Sequence, residues 1–442
     1  PKTHRTDFHR SNEWAGKRVT KVSTIEQQEI GRTCGDENGR VDARVVFLTH
    51  YIPLYQVRVL QAIAASVRDF HVLLSTPIEP NRDFTPDWSG LDVTIQDTWT
   101  FRRRWRHQAA GFEDLLFVHV PYDTNRQLRA LNPDVVMSLE LGARSMGAAS
   151  YCAKHPHSKL VLCTYMSERT EEGRGWLRQR FRKRLVRRAD AVTYNGPSCQ
   201  RYLRRLGVSD QRLFHFPYAA DDRTVYRGPI ERDDRSTRPR LLAVGQLSDR
   251  KGVMPLLQQV CEYCRSHPDR EVQLDFAGEG PLRVEIDSYD LPPNVNVQVL
   301  GNISPEDLGN RMQTYGALIA PSLADEWMLA VNEALQAGLP VLGSIHAQAV
   351  AALVRDGVNG WKYDPMVASS LATSLDAYFE ATDDQLAEMR LNARHSVADR
   401  TPQWAASGAL DAVRYLHGQD KVWPTQCSNS QQGNDSQRGV TG

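Results

Sequence analysis

The sequence has no apolar run long enough to span a bilayer as a helix. Its N-terminus also lacks the charged-then-apolar pattern of a signal peptide. The expected location is therefore cytoplasmic, with peripheral attachment to the inner face of a membrane as the variant to consider. Cysteine is sparse. Seven residues are scattered through 442, an odd number that suggests no disulfide framework. The one close pair, Cys261 and Cys264, falls in a predicted helix with only His267 nearby, so ordinary helix cysteines are expected and no metal site. No recognisable nucleic-acid-binding motif is present, and no nucleic-acid partner is expected.

What is present fits a globular enzyme: 41% hydrophobic and 24% charged residues. The net charge of +1 hides an asymmetry. Residues 1–220 carry 34 Lys+Arg against 23 Asp+Glu, and the remainder 20 against 30. A basic first half suggests that it meets something anionic. Residues 1–40 are polar and without periodicity, and the tail 419–442 is rich in Ser, Gln, Asn and Gly from Thr425 onward. Both are expected to be disordered.

Between these ends, short apolar runs alternate with helical patterns. Strands are expected at Arg44–Thr49, Phe70–Ser75, Asp134–Leu139, Lys159–Thr164, Ala191–Tyr194 and Leu213–Pro217, then at Leu241–Val244, Val272–Ala277, Val295–Leu300, Ala317–Ala320 and Pro340–Gly343. Runs of this kind separated by helices argue for an α/β protein with parallel sheets. Two such sets predict two doubly wound, Rossmann-like domains, 41–220 and 221–400. Asp221 to Arg240 serves as the linker. A ligand is then expected in the cleft between the carboxyl ends of the strands.

Four segments fall at strand-to-helix junctions of the second half. Gly245-Gln246-Leu247-Ser248-Asp249-Arg250-Lys251-Gly252 places a lysine where it can meet a phosphate, although a solvated lysine fits the same pattern. Gly278-Glu279-Gly280-Pro281 permits a tight turn or the close approach of a ligand. Gly301-Asn302 ends a third strand. Pro321 to Glu333 sets Asp325 and Glu333 eight positions apart around a helix start, with Ser322 just past the strand. Helix capping would explain Asp325 well and Glu333 less well. A helix start that accepts phosphate, flanked by carboxylates that grip hydroxyls, suits a diphosphate carrying sugars at both ends.

Together these segments, with Pro321 through Pro340 and Val354-Arg355-Asp356-Gly357-Val358-Asn359-Gly360, resemble the retaining glycosyltransferases of family four, which have the two-domain GT-B fold. Leu48 to Tyr55 and Pro133 to Val136 resemble it less specifically. The resemblance implies a nucleotide-diphosphate-sugar donor, a saccharide or lipid-linked acceptor, and no cofactor or metal. It makes Asp325 and Glu333 the acids of an E-x7-E motif, on the donor sugar and the ribose. Lys251 would neutralise the departing diphosphate, and the backbone of Met328, Leu329 and Ala330 would receive phosphate oxygens. Gly245, Gln246, Arg250, Gly278, Gly301 and Ser322 complete the expected donor site. Glu140 would face the cleft on the acceptor side, where Tyr55, Arg58, Arg144 and Glu168 are further candidates. A last helix, 401–418, would cross back to the first domain.

The chain departs from the family pattern at several positions. Asp replaces Glu at 325, Gln246 stands where arginine is frequent, and Met328 where glycine is frequent. Tyr165-Met166-Ser167 follows the Lys159 strand where a histidine is often found. Two other readings stay open: a degenerate GT-B protein that binds without transferring, and a nucleotide-sugar epimerase. Finally, Arg174 to Arg188 contains eight basic residues with Leu177, Phe181 and Leu185 four apart, and Arg102-Arg103-Arg104-Trp105-Arg106 adds a second basic cluster. These fit an anionic membrane surface, or a helix whose apolar stripe packs on the sheet with its arginines in solvent.

Overall fold

The computed structural model describes residues 40–82 and 84–417; the ends expected to be disordered lie outside the described residues. The first domain contains nine strands: β1 (Val41–Thr49), β2 (Val67–Leu74), β3 (Asp92–Ile95), β4 (Thr98–Arg106), β5 (Glu113–Pro121), β6 (Val135–Leu139), β7 (Lys159–Cys163), β8 (Ala191–Tyr194) and β9 (Leu213–His215). Seven of them form one parallel sheet in the order β3-β2-β1-β6-β7-β8-β9. The second domain pairs β10 (Arg240–Val244), β11 (Val272–Ala277), β12 (Val295–Gly301), β13 (Ala317–Ala320), β14 (Val341–Ser344) and β15 (Gly360–Tyr363) in the order β12-β11-β10-β13-β14-β15, again all parallel.

In each sheet the strand order reverses next to the first strand, at β1/β6 and at β10/β13. That leaves a crevice at the carboxyl ends. The central strands are buried on both faces. β6 and β13 are buried along their whole length. This is the expected pair of doubly wound domains, with a core on each face of each sheet.

Four strands go beyond those expected from the sequence. β3 and β15 are short edge strands. β4 and β5 form an antiparallel ribbon outside both sheets, and β4 is exposed along most of its length. β4 carries no apolar run to mark it, and the run Leu115 to Val118 of β5 lies at exposed or half-buried positions.

The helix Pro402–Leu416 follows the second domain in sequence but packs in the first. Its Ala405, Ala409, Leu410 and Val413 share a core with Val45, Phe47 and Ile63. The approach is close enough that a Cβ at Gly408 would lie 1.5 Å from the His215 carbonyl oxygen.

Candidate active site

Three strand ends converge in the second domain. After β10 the Gly245 N–H donates to Ala277 O (2.9 Å), and after β11 the Gly278 N–H donates to Gly301 O (2.8 Å). Gly278 has φ +148° and a Cβ there would stand 2.1 Å from Gly245 O, so only glycine permits this contact. Gly245 in turn borders the Lys251 side chain. The junction sequences Gly245, Gly278 and Gly301 thus form one edge of the crevice.

On its other side, Lys251 Nζ donates to Asp325 Oδ2 at 2.5 Å. Ser322 Oγ donates to the same oxygen (3.2 Å), and the Trp327 N–H donates to Oδ1 (3.1 Å). Asp325 therefore shapes a turn ahead of the helix Ala330–Gln336 and holds the lysine as well. Burial raises the Asp325 carboxyl, but Lys251 and Arg250 outweigh it and bring it down to about 2. Lys251 is lowered from its ordinary value, because burial costs its ammonium more than Asp325 returns. The two shifts conflict if the pair is taken as complete. They agree if the pocket is short of negative charge, and a diphosphate would supply it.

Glu333 sits in the first turn of that short helix, and burial, with Asp221 nearby, pushes it up to about 7. Among the described residues no carbonyl accepts from the N–H groups of Met328 and Leu329. Met328 has φ +75°, a left-handed conformation that suits glycine better. Its side chain is nevertheless buried in the second-domain core. Gln246 lies at the turn after β10, where its carbonyl accepts from the Ser248 N–H (2.9 Å). Arg250 lies 3.9 Å from Asp325 Oδ2, but it also pairs with Asp114 of β5 at 3.0 Å. Beside this ion pair, Ala110 and Phe112 from the ribbon pack on Leu323 and Ala324. The ribbon of the first domain therefore covers the second domain beside the Lys251–Asp325 pair.

The acceptor-side candidates are spread out. Tyr55 joins an aromatic wall in the cleft, with Tyr218 5.5 Å away, Tyr165 next to it, and Trp327 stacked on Tyr218 at 5.9 Å. Glu140, at the end of β6, has φ +70° and a half-exposed carboxylate 3.9 Å from Arg144. Arg144 itself is buried and holds Ser75 Oγ and Leu139 O. Arg58 pairs with Asp222 at 3.0 Å. Glu168 is gripped by Arg201 and Arg205, each at 2.7 Å. A cavity of about 820 Å³ opens beside the Lys251–Asp325 pair rather than at it, lined by Glu168, Arg169, Lys183, Arg205, His346 and Gln348 among others.

The two basic clusters meet. The Arg174 guanidinium lies 3.4 Å over the Trp105 ring. The helix Trp176–Val186 divides its apolar stripe: Leu185 is buried and Phe181 partly so, while Trp176 and Leu177 are 70% and 66% exposed. Its arginines are not all in solvent either, since Arg182 is buried against Glu171 and Tyr202. Trp99, Phe101, Val118 and Tyr122 add exposed apolar surface on the ribbon.

The architecture defines a class of protein: two facing doubly wound domains with a crevice at their strand ends, the GT-B fold. Solved structures of that shape include Anabaena HepE in complex with UDP, 15% identical with a TM-score of 0.64 over 84% of this chain and 100% of that one. The apo lipopolysaccharide outer core galactosyltransferase WaaB is 13% identical, with a TM-score of 0.62 over 84% and 99%. The family described as glycosyl transferases group 1 matches residues 238–380, and the glycosyl transferase 4-like domain matches 54–219. The chain belongs to the group 1, family four glycosyltransferases. Similar sequences are the D-inositol 3-phosphate glycosyltransferase of Corynebacterium kroppenstedtii, 26% identical over 33% of each chain, and one component of the Homo sapiens phosphatidylinositol N-acetylglucosaminyltransferase, 28% identical over 32% of this chain and 28% of that one. The matched region spans about a third of the length of these relatives.

Proposed function

We infer that this chain transfers a sugar from a nucleotide-diphosphate donor to a saccharide or lipid-linked acceptor, with retention, in the assembly of a polysaccharide or cell-envelope glycan. The observation that carries this reading is the Lys251–Asp325 pair at the converging strand ends, just ahead of the helix Ala330–Gln336. Lys251 and Arg250 would hold the diphosphate and stabilise it as it leaves. Met328, Leu329 and Ala330 would offer N–H groups to it, Asp325 would grip the sugar and Glu333 the ribose. The two similar sequences act, by their names, on inositol phosphate and phosphatidylinositol, so a phosphorylated polyol is the first acceptor to try. Calorimetric titration with UDP-, GDP- and ADP-sugars should find one that binds, and the anomeric configuration of the product by NMR should match that of the donor. An inverted product would reject retention, and no binding of any donor would reject the reading.

The joined basic and aromatic surface of the ribbon and the helix Trp176–Val186 supports attachment to an anionic membrane. Co-sedimentation should be strong with phosphatidylglycerol-containing vesicles and weak with neutral ones. Equal recovery would count against it.

A further inference from the structure

One carboxylate in the cleft is unused by the donor reading, and the sequence pattern does not single it out. Glu326 follows Asp325 and lies on the side facing the first domain. Its backbone carbonyl accepts from Asn195 Nδ2 (2.8 Å) and Gln348 Nε2 (2.7 Å). Gln348 also donates to Tyr165 O (3.2 Å) and accepts from the Cys199 N–H (3.1 Å), so this peptide is fixed where the domains meet. The neighbouring Trp327 ring stacks on Tyr218 of the aromatic wall.

Apart from Glu140 across the cleft and Glu333 of the donor reading, the acids here are engaged. Asp325 is held by Lys251, Asp114 by Arg250, Glu168 by Arg201, Glu171 by Arg182 and Glu172 by Arg169. Among the described residues the half-buried Glu326 carboxylate has neither a hydrogen bond nor an ion pair. From the first domain it feels Glu140 and Glu171, together with Arg174 and the hydroxyls of Tyr55, Tyr165 and Tyr218. From its own domain it feels Arg250 and Asp325. Burial, reinforced by Glu140 and Glu171, pushes its carboxyl up to about 7. A base that titrates near the working pH is suited to general base catalysis. Glu140, across the cleft, is held in the left-handed region at φ +70°, a strain that marks functional positions.

We propose that Glu326 binds the acceptor hydroxyl that attacks the donor and takes its proton, with Glu140 facing it across the cleft. The acceptor oxygen bonds to the anomeric carbon on the same face from which the diphosphate leaves, as the bond from that carbon to the diphosphate oxygen breaks, so the configuration is kept. The electron pair leaves with the nucleoside diphosphate beside Lys251, and the acceptor proton passes to the Glu326 carboxylate. The assignment rests on the transferase reading above.

The test uses the full chain, with UDP-glucose and UDP-N-acetylglucosamine as donors and inositol phosphate as acceptor, comparing wild type with Glu326→Gln and Glu326→Asp. Calorimetry with UDP should give affinities within about twofold for all three proteins, since the carboxylate lies off the donor side. Glu326→Gln should lose about a hundredfold or more in kcat, and Glu326→Asp less. At saturating donor, where Glu333 is engaged with the ribose, the wild-type kcat should rise with pH through an ionisation near 7 that Glu326→Gln lacks. A Glu326→Gln variant within threefold of an active wild type across pH 5.5–8.5 would overturn this assignment alone. A wild type that binds UDP yet transfers from neither donor would overturn it together with the transferase reading.

Discussion

Lys251 and Asp325 depend on each other unequally. Lys251→Ala would leave the buried Asp325 with only Arg250, 3.9 Å away, and two hydrogen bonds, at a cost of about 2–3 kcal/mol. Removing Asp325 as well should return part of that stability without returning donor binding, which chemical denaturation and titration would separate. Glu140 shows the opposite economy. Its left-handed backbone costs about 1–2 kcal/mol, and its half-exposed side chain recovers little by packing. Glu140→Gly should therefore raise the melting temperature by a few degrees while transfer falls. Unchanged transfer would remove Glu140 from the site. Lys251, Asp325 and Glu333 could be picked out in the sequence because each has a fixed offset from a strand end. Glu326 could not. Its significance depends on the field of Glu140, 186 positions earlier in the chain, and on forming no ion pair among the described residues.

Elements could be read in proportion to how deeply they are buried. β1, β6, β7 and β11 are apolar runs because both faces are covered, and their positions follow from the sequence within a few residues. The ribbon β4–β5 escaped because its pairing is with itself and its outer positions are arginine and tryptophan. Yet this ribbon brings Asp114 to Arg250, making Asp114 a resident rival of any diphosphate. Asp114→Asn should free the guanidinium and lower the donor KM. A partly exposed pair is worth about 0.5–1 kcal/mol, so the change should be about two- to fivefold. A higher KM would mean that Asp114 orients Arg250 for the donor and does not compete with it.

For the molecule as a whole, raised carboxyls and lowered histidines oppose each other: burial holds His50, His215 and His346 below their ordinary value, so their share of stability grows as pH rises towards 6.5. Glu326 and Glu333 titrate at about 7 when folded, against an ordinary 4.5. Between those values the folded state holds protons that the unfolded state has released, so their share of stability falls as pH rises through this window. Asp325 acts in the other direction, and its contribution is lost only as pH falls from about 3.8 towards 2. Relative to wild type, Glu333→Gln should therefore gain melting temperature as pH rises from about 4.5 to 7, because the variant lacks the Glu333 share of the loss. A difference between the two proteins that stays constant over that window would assign the effect to other groups. The two-domain plan could be read from the alternation of buried runs and helices. The grip of Gln348 across the cleft could not, because a single glutamine carries no pattern.

The helix Pro402–Leu416 bears on the order in which the protein can be made. Leu410, Val413 and the alanines beside them complete the core around β1, yet they leave the ribosome after the whole second domain. The first half therefore waits through synthesis with an apolar face uncovered, and burial worth about 1.5–3 kcal/mol for each large side chain is still unrealised. During that interval it is the part of the nascent chain most in need of a chaperone. A ribosome that stalls before residue 402 would release a second domain able to fold and a first domain unable to finish.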